Sequence, residues 1–443
     1  MKIAKERHAP CPDAGAGGPA VRPRKLAMLA LLCTAAGTAA GAGKPPEPGF
    51  TFGPSETIEH DSNLTRTSGE AGASEVSDTL YNTSLGANFN RDYGRERVNL
   101  AVSLGRVVYQ NTTSLDYTQQ ALDAGIVANL PLNIDAQAQA AHHVQMVHFA
   151  DIGAPIRDVI TSNSAAGSLA FPLISGLRAV VGGNAQHSSN SGATLRFQDT
   201  RAAEGNAGLR LESSSGNHVD VLVRSVHATH PNYIPGVASA NQAISPGYDE
   251  RGADISGDWT FSAGSRLHGR AGYLRHTGDE FDAAPGPGQI LPVGVTQIHV
   301  NHNFAGPAFD VTYTWQATAL SKIDFLGSRA TGAVGDNNFL SAVTRTYRIT
   351  PTYQAGAKTE ISAYALWAQY AYASDPLIAA AAGLTGAQAL RLDHERDAGI
   401  AVDWTPRRWL EIKADVHQEH RSSSISFYGF TANVVVLSAV GTF

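Results

Sequence analysis

The stretch WLEIKADVHQEHR, Trp409 to Arg421, alternates over its whole length. Leu410, Ile412, Ala414 and Val416 share one parity, and Glu411, Lys413, Asp415, His417, Glu419 and Arg421 share the other. Successive side chains of an extended chain point to opposite faces, so the pattern predicts a strand with one apolar wall and one charged wall. The same period of two recurs from about Phe50 to the last residue. RVNLAVSL sets Val98, Leu100, Val102 and Leu104 against Arg97, Asn99, Ala101 and Ser103. FDVTYTWQ sets Phe309, Val311, Tyr313 and Trp315 against Asp310, Thr312, Thr314 and Gln316. NIDAQAQA and EGNAGLRLE repeat the arrangement, with Leu209 and Leu211 opposing Arg210 and Glu212 in the second.

The connections alternate as well. Short turns are predicted at Asp92 to Gly94, Pro131 to Asn133, Pro172 to Gly176, Ser213 to Gly216, Ser262 to Ser265, Gly306-Pro307, Ala355 to Lys358 and Pro406-Arg407. Longer polar or Gly/Pro-rich connections fall between most of them, at Ser62 to Glu75, Ala150 to Arg157, Ser189 to Gln198, His230 to Tyr248, Gly278 to Val293, Lys322 to Asn338 and Ser374 to Leu390. A sandwich or propeller has no reason to keep one class of connection on each side. The fold class predicted is all-β, a transmembrane antiparallel up-and-down β-barrel of about 18 strands, 16 to 18 by hairpin count, with short periplasmic turns and longer extracellular loops.

That fold requires the apolar wall to face lipid. No helical segment carries a stripe wide enough to cover it, and no second class of strand is present to pack on it. A closed sheet satisfies its backbone hydrogen bonds without a free edge, so it can live in a bilayer with its charged wall around the lumen. Trp259, Tyr313, Trp315, Tyr347, Tyr353, Trp367 and Trp404 are then candidates for interfacial girdles. Arg106, Arg251, Arg275 and Arg345 fall on the apolar parity. A lipid-facing Arg costs about 2–4 kcal/mol at the midplane and little at the interface, so they are expected at the rim or at a register-shifting bulge.

Composition adds the compartment. Of 443 residues 16% are charged, mean hydropathy is -0.15, and past the N-terminus no apolar run approaches the ~20 residues of a spanning helix. Arg22, Arg24 and Lys25 precede an Ala/Leu-rich stretch that ends in Ala40-Gly41-Ala42. This predicts a signal peptide over 1–42, cleaved near Ala42, and one barrel domain over 43–443 in the bacterial outer membrane. Both cysteines, Cys11 and Cys33, lie in the leader, so the mature chain is expected to have no thiol chemistry. Cleavage removes six Lys/Arg and two Asp/Glu, leaving 27 basic against 37 acidic residues and a net charge of -10. An acidic exported chain argues against nucleic acid as a partner. The chain ends on FTANVVVLSAVGTF, and a terminal Phe443 closing an apolar strand resembles the assembly signal read by the outer-membrane insertion machinery, although Gly441 stands where that signal usually has an aromatic.

No catalytic constellation emerges. His299 with His302 and His417 with His420 fall on opposite strand faces, and neither pair makes the HExxH helix of a zinc protease. His142, His143 and His148 lie near a rim, where solvated histidines are the simpler reading than a metal site. There is no GxSxG, P-loop or dinucleotide fingerprint. No metal and no cofactor is expected. The candidate solute path is instead the inward parity, represented by Arg266, Arg270, Arg348, Glu411, Lys413, Asp415, His417, Glu419 and Arg421. Opposite charges on neighbouring strands can pair there, and a barrel of this size is too wide for side chains to fill.

ETIEHDSNLTR (Glu56 to Arg66) followed by SDTLYNTSLGANFNRDYGRERVNLAVSL (Ser77 to Leu104) resembles the EpsL-type outer-membrane proteins encoded with exopolysaccharide biosynthesis genes in exosortase-bearing bacteria. The matching elements are Asp61, Asn63, Leu64 and Arg66 of a D-x-N-L-x-R motif, Ser77-Asp78-Thr79, and Tyr93-Gly94-Arg95. They cover about a quarter of the chain. The resemblance implies a barrel through which a secreted exopolysaccharide crosses the outer membrane or by which it is held, with no catalytic residues to carry over. Its implied partners are outer-membrane lipid and lipopolysaccharide, the exopolysaccharide, and periplasmic export components docking on the short turns. Two readings stand beside it: a general or small-solute diffusion porin, and a closed structural or surface polysaccharide-binding barrel.

Overall fold

The computed structural model describes residues 49–69, 75–147, 149, 156–193, 195–232, 246–279, 281–283, 298–300, 303–332, 341–373 and 391–443. The expected leader with both cysteines, His148, His302 and most of the longer loops lie outside the described residues.

Eighteen strands form one closed antiparallel sheet. They are β1 (Gly49–Asp61), β2 (Asp78–Tyr93), β3 (Glu96–Tyr109), β4 (Tyr117–Leu130), β5 (Ile134–Met146), β6 (Val159–Ile174), β7 (Leu177–Asn190), β8 (Thr200–Glu212), β9 (His218–Thr229), β10 (Gly247–Ser262) and β11 (Ser265–Gly278), followed by β14 (Phe304–Thr318), β15 (Ser321–Gly332), β16 (Ser341–Gly356), β17 (Thr359–Ala373), β18 (Leu392–Arg407), β19 (Leu410–Ser423) and β20 (Phe430–Gly441). Strands β12 (Phe281–Ala283) and β13 (Ile298–Val300) make a separate hairpin within the β11–β14 connection. Each barrel strand pairs with its sequence neighbour, and β1 closes the ring by pairing with both β2 and β20. The seventeen connections alternate without exception, nine long and eight short. Gly94 and Gly176, at φ 67° and 75°, supply left-handed conformations in two of the short turns.

The alternation read from the sequence is the alternation of the two faces, with polarity inverted relative to a soluble protein. Val221 and Val223 are 51% and 61% exposed, whereas Asp220 and Arg224, which flank them on the opposite parity, are buried. Ile255, Ile400, Val416, Val435 and Leu437 continue the outward apolar surface. Moving such a side chain from water into hydrocarbon is worth about 1.5–3 kcal/mol, so a bilayer takes the place of a core. All seven aromatic residues assigned to the girdles lie on this outward face, and six of them, Trp259, Trp315, Tyr347, Tyr353, Trp367 and Trp404, are among the exposed large apolar groups there.

Two predicted connections are corrected. Gly306 and Pro307 are not a turn but part of β14, where they pair with Leu274 and Tyr273 of β11. Pairing of β14 with β15 begins only at Phe309↔Arg329, so the β15 side of Pro307 has no ladder bond to lose. The turn is Ala319-Leu320, and Lys322 to Gly332, expected as loop, runs as β15. The connections 110–116 and 424–429 also belong to the long class, although neither is Gly/Pro-rich enough to be recognised from composition.

Candidate lumen site

The first long connection folds into the mouth of the barrel. Asn63 N–H donates to Asp61 Oδ1 at 2.8 Å, and the Asn63 side-chain amide donates to the carbonyls of Thr67 (2.8 Å) and Thr431 (3.1 Å). These bonds curl residues 61–67 over the inner face of β20, whose Ala432 and Val434 are buried. Arg66, held at φ 55°, donates through Nε to Glu419 Oε2 at 2.7 Å and through an Nη to Asp61 Oδ2 at 2.5 Å. Burial alone would lower the pKa of this guanidinium, but the charges of Glu419 and Asp61 turn the shift upward. On the other side of the turn, Leu64 joins a buried apolar cluster with Val107, Tyr109, Leu115, Tyr117, Phe149 and Val159. The turn is thus anchored by charge to β19 and by apolar contact to β3 and β4, and it narrows the mouth.

Below it runs the ladder predicted from sequence. Glu411, Lys413, Asp415, His417, Glu419 and Arg421 of β19 share the inward parity, and His420 takes the outward one. Lys413 Nζ lies 3.2 Å from Glu411 and 3.6 Å from Asp403. His417 Nδ1 lies 2.5 Å from Asp415, and its Nε2 lies 3.7 Å from Glu419. Arg421 donates from Nε and Nη2 to Glu395 Oε2 at 2.9 and 2.6 Å.

Aromatic rings stand among these charges, and the sequence reading missed them as lumen groups. The Arg421 guanidinium lies 5.2 Å from the Tyr370 ring and 5.1 Å from that of Phe430, Arg348 lies 4.4 Å over Tyr364, and Arg391 lies between Tyr372 (4.3 Å) and Tyr428 (3.3 Å). Tyr364 Oη also donates to Asp397 Oδ1 at 3.1 Å. Their inward parity on β17 and β20 was a usable signal, because Tyr364, Tyr370 and Tyr372 alternate with the outward Trp367.

Arg266 and Arg270 do not join this wall. They lie on β11, separated from β19 by the strands β14 to β18, and face the acids of β10. Arg266 bonds Asp258 at 2.8 and 2.5 Å. Arg270 and Arg224 both reach Asp254, the latter at 3.0 Å, and Arg210 holds Asp220 at 2.7 and 2.9 Å. The nine candidate residues therefore form two separate groups, with Arg348 belonging to the β17–β19 group through Tyr364. Phe443 lies at the short-turn rim, exchanging backbone bonds of 2.9 and 3.1 Å with Phe52 while its ring meets Phe52 and Trp409, each at 5.9 Å.

Among the described residues no group of three or more His, Cys, Asp or Glu is placed to hold a metal. His142 and His143 point to opposite faces, toward Asn163 (2.7 Å) and Asp123 (3.1 Å).

No family model matches the chain, and no curated protein matches it. Solved structures do match. OpdK of Pseudomonas aeruginosa, determined with vanillate, is 10% identical, with 89% of this chain and 99% of that one covered and a TM-score of 0.45. A BenF-like porin of Pseudomonas fluorescens Pf-5 is 9% identical over 90% and 100% of the two chains, also at 0.45. The ferric enterobactin receptor PfeA in complex with BCV-L6 is 9% identical over 90% and 82%, at 0.50. At these identities the likeness concerns the fold, that of an outer-membrane β-barrel.

Proposed function

We propose that this protein is an outer-membrane channel for polyhydroxylated solutes, with secreted exopolysaccharide as its cargo. The observation that carries the reading is the composition of the β16–β20 wall. Opposite charges pair along it, as in Arg421–Glu395 and Lys413–Asp403, while Arg348 and Asp397 meet Tyr364 instead, so the wall is mixed in sign with an excess of acids and is no anion-attracting surface. What such a wall offers is a dense array of donors and acceptors beside aromatic rings, which suits sugar hydroxyls and the apolar faces of pyranose rings. The resemblance of Asp61, Asn63, Leu64 and Arg66 to the EpsL-type motif supports polymer over monomer.

One observation favours a second reading, a small-solute diffusion porin. The turn 61–67 lies inside the mouth on the β19–β20 side, and a narrowed mouth admits small solutes more readily than a chain. Planar-bilayer conductance of the refolded barrel, with and without the host polysaccharide, separates the readings. Open current blocked at micromolar polymer supports export. Current indifferent to polymer but permeable to small sugars supports the porin. A folded barrel that passes no current supports the closed, polymer-holding role.

A further inference from the structure

On the outward face, toward the long connections, the apolar band ends in a row of arginines. Along the hydrogen-bonded register Arg251 of β10 lies directly opposite Arg275 of β11, and Arg329 of β15 directly opposite Arg345 of β16. Between the two pairs, β14 presents Ala305 and Pro307 on this face. Like charges directly opposite in a sheet repel one another, and at Cβ separations of about 5 Å water alone compensates that poorly. Among the described residues no carboxylate pairs with any of the four. Arg345 donates only to Gln369 Oε1 at 2.8 Å and Arg329 only to the carbonyl of Pro307, contacts that aim the guanidinium groups without neutralising them. In β10 to β16 the outward residues at this level include one acid, Asp249, and it already faces His227 at 3.0 Å.

The depth of the row identifies what would neutralise it. One step toward the short turns, on the same face, stand Tyr273 and Tyr347, both more than half exposed. Beyond them the surface is apolar down to Trp259 and Phe261. Ten residues separate Arg251 from Phe261, about 33 Å of strand or about 25 Å along the membrane normal at a ~40° tilt, the height of the apolar band of an outer-membrane barrel. The arginines therefore sit at one edge of that band, at headgroup level, above tyrosines of the kind that occupy the interface. Four strand spacings, about 19 Å, separate β10 from β16, so the two pairs span the footprint of a large headgroup.

We propose that the Arg251–Arg275 and Arg329–Arg345 pairs clamp the phosphate groups of an anionic glycolipid of the outer leaflet. Guanidinium forks match phosphate oxygens bidentately, and one phosphate shared by an opposed pair converts the repulsion into two charge-assisted contacts. The lipid's acyl chains then continue over the apolar face below Tyr273 and Tyr347.

The test uses the full barrel refolded in detergent, with purified rough-type lipopolysaccharide as the probe. Binding is followed by native mass spectrometry and by titration at several salt concentrations. The combined variant Arg251→Gln/Arg275→Gln/Arg329→Gln/Arg345→Gln is expected to bind at least tenfold more weakly, with a shallower salt dependence, while it stays folded by heat-modifiable mobility and keeps wild-type conductance. The corresponding four-Lys variant, which keeps charge but loses the fork, is expected to fall between the two. Phosphatase-treated lipopolysaccharide is expected to bind the wild type as weakly as the intact lipid binds the Gln variant. Equal binding of intact and phosphatase-treated lipid, or wild-type affinity in the folded Gln variant, overturns the proposal. Full competition by millimolar inorganic phosphate overturns it in favour of a free-anion site.

Discussion

Inside the barrel mouth, Arg421 lies against Glu395 and Arg66 lies between Asp61 and Glu419. Outside, at the same end, Arg251 faces Arg275 and Arg329 faces Arg345. The inner arginines are more than nine-tenths buried, and Arg251, Arg275 and Arg345 are exposed. A buried charge must be paired and hydrogen-bonded within the protein, because removing it from water otherwise costs several kcal/mol. An arginine at the rim meets no such requirement and can keep its valence for the medium. The same residue type therefore braces the wall on one face and reads the membrane on the other, and the face it is on follows from the parity of its position in the strand.

The largest expected effect comes from breaking the inner arrangement at its most buried point. Arg66→Ala leaves Asp61 and Glu419 without their shared cation, which should cost about 3–5 kcal/mol in denaturant unfolding of the barrel. Because the turn 61–67 loses its anchor to β19, single-channel conductance should rise in the same variant. A drop in stability with unchanged conductance would mean that the turn does not narrow the path. Deleting Phe443 comes next. It removes two backbone bonds to Phe52 and the ring contacts with Phe52 and Trp409 at the seam where the barrel closes. A loss of about 2–3 kcal/mol is expected, read as a severalfold smaller folded fraction on heat-modifiability gels, and a wild-type yield would remove Phe443 from any role in assembly.

Finer tests sharpen the contrast between faces. A double-mutant cycle of Arg421→Gln and Glu395→Gln should give a coupling energy of about 1–3 kcal/mol, whereas the same cycle on Arg251 and Arg275 should show relief, each single substitution stabilising its neighbour. A coupling near zero inside the barrel would mean that the inner pairs are solvated. The smallest effect is expected at the short-turn end, where Lys413 is partly exposed between Glu411 and Asp403. Lys413→Gln should change stability by less than about 1 kcal/mol and raise cation preference in reversal-potential measurements by less than about twofold. A reversal of selectivity would show that this residue alone controls the field in the path.

The barrel was legible because its signals are local. Period two, turn chemistry and the alternation of short and long connections need only neighbours in sequence, and they yield the strand number and the parity of every residue from Glu411 to Arg421. Gly306-Pro307 misled because that dipeptide marks turns by local preference, while its place in β14 depends on the register with β11 and β15, which no local pattern contains. The contact of Arg66 with Glu419 was not legible for the same reason, since 353 positions separate the partners. The residues that carry the resemblance take structural places that their motifs do not disclose. Asp61, Asn63 and Arg66 shape the mouth, Asp78 takes the N–H groups of Asn111 and Thr112 at the start of β2, and Gly94 makes a short turn. These are structural duties at the barrel ends, and none of them is chemistry on a solute.

The charged parity of β19 lines water and the apolar parity faces lipid. No cysteine occurs between residues 49 and 443, so single cysteines can be placed at 411, 412, 413, 414, 415 and 416 in an otherwise thiol-free wall. In lipid bilayers, positions 411, 413 and 415 should react with a charged, membrane-impermeant thiol reagent and lose current as they do so, while 412, 414 and 416 should be spared. Equal reaction at both parities, or reaction at 412, 414 and 416 alone, would contradict the account.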